Sequence, residues 1–142
     1  MVRFGGKVAI VTGGLGGIGL ATAKRLASEG ASVAVVDRSA SDAVASELKS
    51  LGAPDAASYA VDVSDEAAVR QICDAVVARF GRLDVVVSVA GVMIYKPLVE
   101  LTSADWTEKL GVNLMAPVHF HTNALPLITG AGAPVNVSSI HA

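Results

Sequence analysis

Between Thr12 and Gly19 the chain reads "TGGLGGIG", five glycines in eight residues, after an apolar run and before a helical pattern. Two spacings are satisfied at once. Gly14, Gly16 and Gly19 fit G-x-G-x-x-G, while Thr12, Gly13, Gly17 and Gly19 fit T-G-x-x-x-G-x-G. Either register turns the chain tightly, lets backbone approach a pyrophosphate and aims a helix N-terminus at its charge. The bland alternative is a turn that packs a helix closely on a strand. Asp37 weakens that alternative, because it ends the next apolar run 18 residues after Gly19. A carboxylate there can accept hydrogen bonds from an adenosine ribose. It would repel an added 2′-phosphate, so the pattern favours NAD over NADP. Arg38 beside it is a mild counter-signal, or simply a solvated arginine. Asp62 and Val63 follow the third apolar run. Spacing alone leaves two roles open for Asp62: a contact on the ligand rim, or an acid favouring the dipole of the next helix.

These groups need a scaffold that brings strand ends together. Short apolar runs recur at 7–13, 32–37, 58–63, 83–91 and 133–139, separated by helical patterns. Gly30, Gly52 and Gly81 stand where helices should end. Ser39 with Asp42 and Thr102 with Asp105 have capping-box spacing, and Ser64 is placed as the cap of the third helix. A long helical region is expected from Thr102 towards Thr129. Apolar strands alternating with helices predict an α/β fold, a doubly wound parallel sheet of Rossmann type covered on both faces.

Composition agrees with one domain over 1–142. Hydrophobic residues make up 52% and charged residues 17%, with a formal charge of −2. That balance excludes a disordered chain and gives no basic footprint for nucleic acid or an anionic membrane. The longest apolar stretch, Val85 to Tyr95, is too short to span a bilayer. The single cysteine, Cys73, has no internal disulfide partner, and a cytoplasmic setting is the default expectation. His119 and His121 stand two apart on a helix, which does not suit shared metal binding. His141 is placed on the substrate side as an expectation. No metal site is expected.

With these motifs in order, the chain resembles the short-chain dehydrogenase/reductase family from Lys7 to its last residues. The resemblance makes Gly13, Leu15, Gly16, Gly17, Ile18 and Gly19 the cofactor loop. It makes Asp37 the NAD-selecting acid with Arg38 beside it, Asp62 and Val63 the adenine contacts, and Ala90 and Gly91 part of the cofactor floor. "SVAG" (88–91) stands where the family has Asn-Asn-Ala-Gly, so Ser88 and Val89 depart from the pattern. "GVNLMAPV" (111–118) resembles the segment with the catalytic asparagine, here Asn113. Pro117, four residues later, has no N–H for the Asn113 carbonyl, which leaves that carbonyl able to hold a water. "VNVSS" (135–139) resembles the strand whose second serine is catalytic, here Ser139. It would polarise a substrate oxygen and would not act as a nucleophile.

The family's Tyr-x-x-x-Lys pair has no match in this sequence. Tyr59 and Tyr95 are followed four places on by Val63 and Val99. The family's last two strands have no counterpart either. The resemblance implies an NAD-dependent oxidoreductase that interconverts a secondary alcohol and a ketone, acting on a small molecule and forming a homo-oligomer. Two other readings stay open: a non-catalytic dinucleotide-binding module or truncated pseudoenzyme, and an S-adenosylmethionine-dependent methyltransferase. Thr12-Gly13, Asn113 and Val-Asn-Val-Ser-Ser argue against the last.

Overall fold

The computed structural model describes residues 2–139. His141 therefore lies outside the described residues. Five parallel strands form one sheet in the order β3-β2-β1-β4-β5. They are β1 (Val8–Thr12), β2 (Ser32–Asp37), β3 (Ala56–Ala60), β4 (Leu83–Ser88) and β5 (Ile128–Asn136). Between them lie α1 (Gly17–Ser28), α2 (Asp42–Ser50), α3 (Glu66–Phe80), α4 (Ser103–Leu110) and α5 (Ala116–Ala124). The strand order reverses direction between β1 and β4, so a crevice opens at their carboxyl ends.

Side-chain alternation along each strand builds two cores. Val8, Ile10, Ala34, Val36 and Val86 face one side, where they meet Val69, Ile72 and Val76 of α3 and Phe120 of α5. Ala9, Val11, Val33, Val35 and Val87 face the other, against Ala23, Leu26 and Ala27 of α1 and Leu48 of α2. Every residue of β1 is buried, as a central parallel strand requires. Phe120 is fully buried and contributes on the order of 2–3 kcal/mol by burial alone.

Local corrections concern helix ends and strand limits. Ser41, not Ser39, caps α2, its hydroxyl accepting the Val44 N–H at 3.3 Å. Asp65, not Ser64, caps α3, its carboxylate accepting the N–H groups of Ala67 and Ala68. A carboxylate one residue on reaches two orphan amides, where the serine hydroxyl would reach one. The Thr102–Asp105 capping box forms as expected. The long helix is not continuous. A π-turn over Gly111–Met115 separates α4 from α5, and a 3₁₀ turn over Leu125–Leu127 ends it before Thr129. Pro117 supplies the reason, because the α-helical ladder lacks its amide. β3 covers Ala56–Ala60 and not 58–63, so Asp62 and Val63 sit in the loop beyond it. β4 stops at Ser88, which puts Val89 to Gly91 in the following turn. β5 starts earlier and ends earlier than 133–139, and its register on β4 is interrupted between Leu83 and Val85. Eight of its nine residues are exposed, because no described element packs beyond it.

The ends of the sheet differ in purpose. At the amino end, the buried Asp84 carboxylate accepts the Val8 N–H at 3.0 Å and bonds Lys7 and Arg82. Burial pushes that carboxyl's pKa up, but the hydrogen bonds from Arg82, the Val8 amide and Lys7 outweigh it and hold it low. This polar knot pins β1 to β4 far from the glycine loop.

Candidate active site

The cradle at the carboxyl ends is built from backbone geometry first. Gly19 tolerates no side chain, because a Cβ there would lie 2.1 Å from the Gly13 carbonyl oxygen. Gly17 has φ +50° at the first residue of α1, in the left-handed region that favours glycine. Gly16 is different. Its φ of −160° is ordinary extended backbone, and a Cβ there would meet nothing within 4 Å among the described residues. Neither packing nor conformation demands glycine at that position, which faces open space.

The N-terminus of α1 has no side-chain cap and no acidic residue in its first turn. By contrast α2, α3 and α4 are capped by Ser41, Asp65 and Thr102. The first amides of α1 and its positive dipole end therefore point at the crevice without a protein acceptor from the cap position.

That crevice is a cleft of about 520 Å³. Around it stand Gly13, Gly16, Gly17, Ile18 and Gly19, then Asp37 and Arg38 after β2, Asp62 and Val63 after β3, and Ala90 and Gly91 after β4. Leu15 is the exception. Its side chain packs against the core on the α1 side and not on the cleft wall. Its amide instead donates to Asp37 Oδ2 at 3.1 Å, while the Arg38 N–H donates to Oδ1 at 2.8 Å. Each oxygen of Asp37 thus takes one backbone bond and keeps a lone pair for a further donor. Asp62 accepts both the Ser64 hydroxyl at 2.6 Å and the Ser64 N–H at 2.9 Å. Those two bonds, with Arg38 nearby, hold its pKa below the ordinary value. Asp62 therefore fixes the loop before α3 while Asp65 serves the helix dipole.

Two latches join the cleft floor to its surroundings. Thr12 is 2% exposed, and its hydroxyl oxygen accepts the N–H groups of Val89 and Ala90, each at 3.0 Å. The turn that lacks the family's paired asparagines is therefore tied through its backbone to the end of β1. Among the described residues the buried Ser88 hydroxyl has no hydrogen-bond partner. Asn113 forms the second latch, since its amide both accepts from and donates to the backbone of Val92. The sequence offered a signal for Thr12, a hydroxyl at a buried strand end. It offered none for Val92, which contributes only backbone.

A second cavity of about 260 Å³ continues from the cleft. Ile18, Val89, Ala90, Gly91 and Val92 border both, and Met93, Asn113, Val137, Ser138 and Ser139 complete the second. The structure thus brings Asn113 and Ser139 to one cavity although 26 residues separate them. No three His, Cys, Asp or Glu side chains cluster as a metal site among the described residues. No described helix is long and apolar enough to cross a membrane.

Comparison with known proteins places this geometry. The profile described as short chain dehydrogenase matches residues 7–142. D-threitol dehydrogenase of Mycolicibacterium smegmatis is 41% identical over 141 residues, covering 96% of this chain and 54% of that protein. Meso-2,3-butanediol dehydrogenase of Serratia marcescens is 36% identical over 140 residues, covering 98% and 55%. Among solved structures, a short chain dehydrogenase from Burkholderia cenocepacia in complex with NADP superposes with a TM-score of 0.89 at 36% identity, covering 97% and 57%. A blue fluorescent protein from a metagenomic library, in complex with NADPH, gives 0.89 at 33%, with the same coverage of 97% and 57%. The chain spans a little over half the length of these relatives.

Proposed function

The chain belongs to the short-chain dehydrogenase family, and on that premise we propose that it forms the NAD-binding part of an alcohol–ketone oxidoreductase. The observation that carries this reading is the uncapped N-terminus of α1, facing a cleft that the Asp37 carboxylate also lines. The residues present fit a nicotinamide dinucleotide. The open face of Gly16 and the free first-turn amides suit a pyrophosphate. The lone pairs left on Asp37 suit a ribose diol. Bound there, such a cofactor supplies or accepts the hydride.

NAD is favoured over NADP by charge. A 2′-phosphate placed about 4 Å from Asp37 would be opposed by about 1–4 kcal/mol per unit charge, depending on screening. Arg38 stands on the same wall and offsets part of that penalty. Two solved relatives are in complex with NADP or NADPH; for this chain the proposed preference for NAD is argued from the charge of Asp37 alone.

The chain's own residues divide the remaining work. Ser139 takes the substrate oxygen by hydrogen bonding, and Asn113 positions the loop at Val92 and anchors a proton-relay water through its carbonyl. Proton exchange with the substrate falls to a tyrosine–lysine pair that this sequence does not contain. A second reading is a dinucleotide-binding module without turnover. The proposed localisation is cytoplasmic, the partners a small alcohol or ketone and further copies of the chain. A titration of the protein with NADH and NADPH, read by nicotinamide fluorescence, tests the proposal. NADH is expected to bind at least about tenfold tighter. Equal affinities would remove the role given to Asp37, and no binding of either would remove the reading. NADH formation from NAD and a secondary alcohol then separates the enzyme from the binding module.

A further inference from the structure

We propose that Met93 sets substrate specificity in the second cavity, and that the substrate group lying against it is hydrocarbon, not hydroxyl. The inference deepens the dehydrogenase reading above and rests on it.

Met93 is 46% exposed, yet it is not on a loose tip. The residue before it is held at both backbone groups by the Asn113 amide, at 2.8 and 2.9 Å. Met93 therefore stands at a fixed place in the cavity that also contains Ser138 and Ser139. The apolar side chains of Val92, Val137 and Ile18 line the same cavity. Asn113 is the other polar side chain of this wall besides the two serines, and the Val92 backbone already engages its carbonyl oxygen and an N–H. A substrate hydroxyl turned to this side would lose its water and find a thioether and methyl groups. Burial of an unpaired hydroxyl weakens binding by about tenfold or more. A methyl group in the same place gains contact with a flexible, polarisable side chain.

Two symmetric ketones of equal heavy-atom count isolate this effect: 3-pentanone and 1,3-dihydroxyacetone differ only by methyl against hydroxyl. Each is titrated into the NADH-loaded chain and read by saturation-transfer NMR. 3-Pentanone is expected to bind at least about tenfold tighter. Met93→Asn should reduce the ratio below about threefold, while Met93→Leu keeps it. Equal or tighter binding of dihydroxyacetone overturns the proposal, as does a ratio indifferent to Met93→Asn, or binding of neither ketone. The preliminary NADH titration keeps the two failures apart. If NADH itself does not bind, the dehydrogenase reading falls and takes this inference with it.

Discussion

Asn113 and Val92 are joined by a two-way amide pair: the Val92 N–H donates to Asn113 Oδ1 at 2.8 Å, and Asn113 Nδ2 donates to the Val92 carbonyl at 2.9 Å. The pair links the π-turn between α4 and α5 to the loop after β4. It orders part of the lining of the second cavity without using a side chain of the loop. Asn113→Ala leaves both backbone groups of Val92 without their partner and should cost about 1–3 kcal/mol. Urea unfolding measures the loss, and hydrogen exchange at the Val92 amide should accelerate beyond the global change. An unchanged exchange rate would show that the latch does not order the loop.

Thr12 carries a comparable load on the floor of the cleft. Thr12→Val keeps the shape and removes the acceptor for the Val89 and Ala90 amides. Thermal unfolding should register a loss of about 1–3 kcal/mol, and Thr12→Ser should recover most of it. Equal stability of the valine and serine variants would argue for packing as the sole role.

Gly19 and Gly16 should respond differently to alanine. Gly19→Ala forces a methyl carbon to 2.1 Å from a carbonyl oxygen, so the loop must move and stability should fall by about 1–3 kcal/mol. Gly16→Ala meets no atom of the described residues within 4 Å, so the fold should persist while dinucleotide affinity drops. Parallel unfolding and NADH titrations distinguish them. Wild-type affinity in folded Gly16→Ala would mean that no ligand backbone contact occurs there.

Asp37→Asn preserves an oxygen for the Leu15 amide and removes the charge. The preference for NADH over NADPH should narrow by about tenfold or more. A preference that survives the change would place selectivity elsewhere on the wall.

Acid should destabilise the chain in a defined window. Glu29 is held down to about 2 by hydrogen bonds from Arg3 and Arg25, and Asp55 to about 2 by Arg79 and Lys49. Asp105 falls to about 2 through the Thr102 backbone N–H, Lys96 and the Thr102 hydroxyl. Each folded value lies below the ordinary 3.8 or 4.5. The unfolded chain therefore binds protons first, so these contributions are complete above about pH 5 and are lost as pH falls towards 2. Urea midpoints should decline across that window, and Glu29→Gln should flatten part of the slope. A flat profile from pH 5 to pH 3 would contradict these shifts.

The strand-and-helix alternation and the glycine loop were legible because they depend on short-range patterns. Gly13 and Gly17 have positive φ, at +63° and +50°, and Gly19 sits under a carbonyl. Those demands are written as residue type. Caps were less legible, since Ser39 and Ser41, or Ser64 and Asp65, are adjacent candidates for the same task. A register difference of one or two residues decides which oxygen reaches an amide. Leu15 shows a further limit. A motif position identifies a loop, but only the path of that loop decides that this side chain enters the core while its amide supports Asp37.

The sequence by itself determined the order of elements, the glycine turn and the acid ending β2, because each follows from neighbours along the chain. Tertiary structure decided which distant backbone groups those residues hold. Thr12 met the amides of Val89 and Ala90 because β4 pairs with β1 in parallel, in the register that sets Val11 beside Val87. Asn113 met Val92 because the π-turn lies against the loop after β4, and Met93 shares a cavity with Ser139 because β5 pairs beside β4. Backbone amides and carbonyls are the same at every position, so no residue pattern can announce which of them a distant side chain will find.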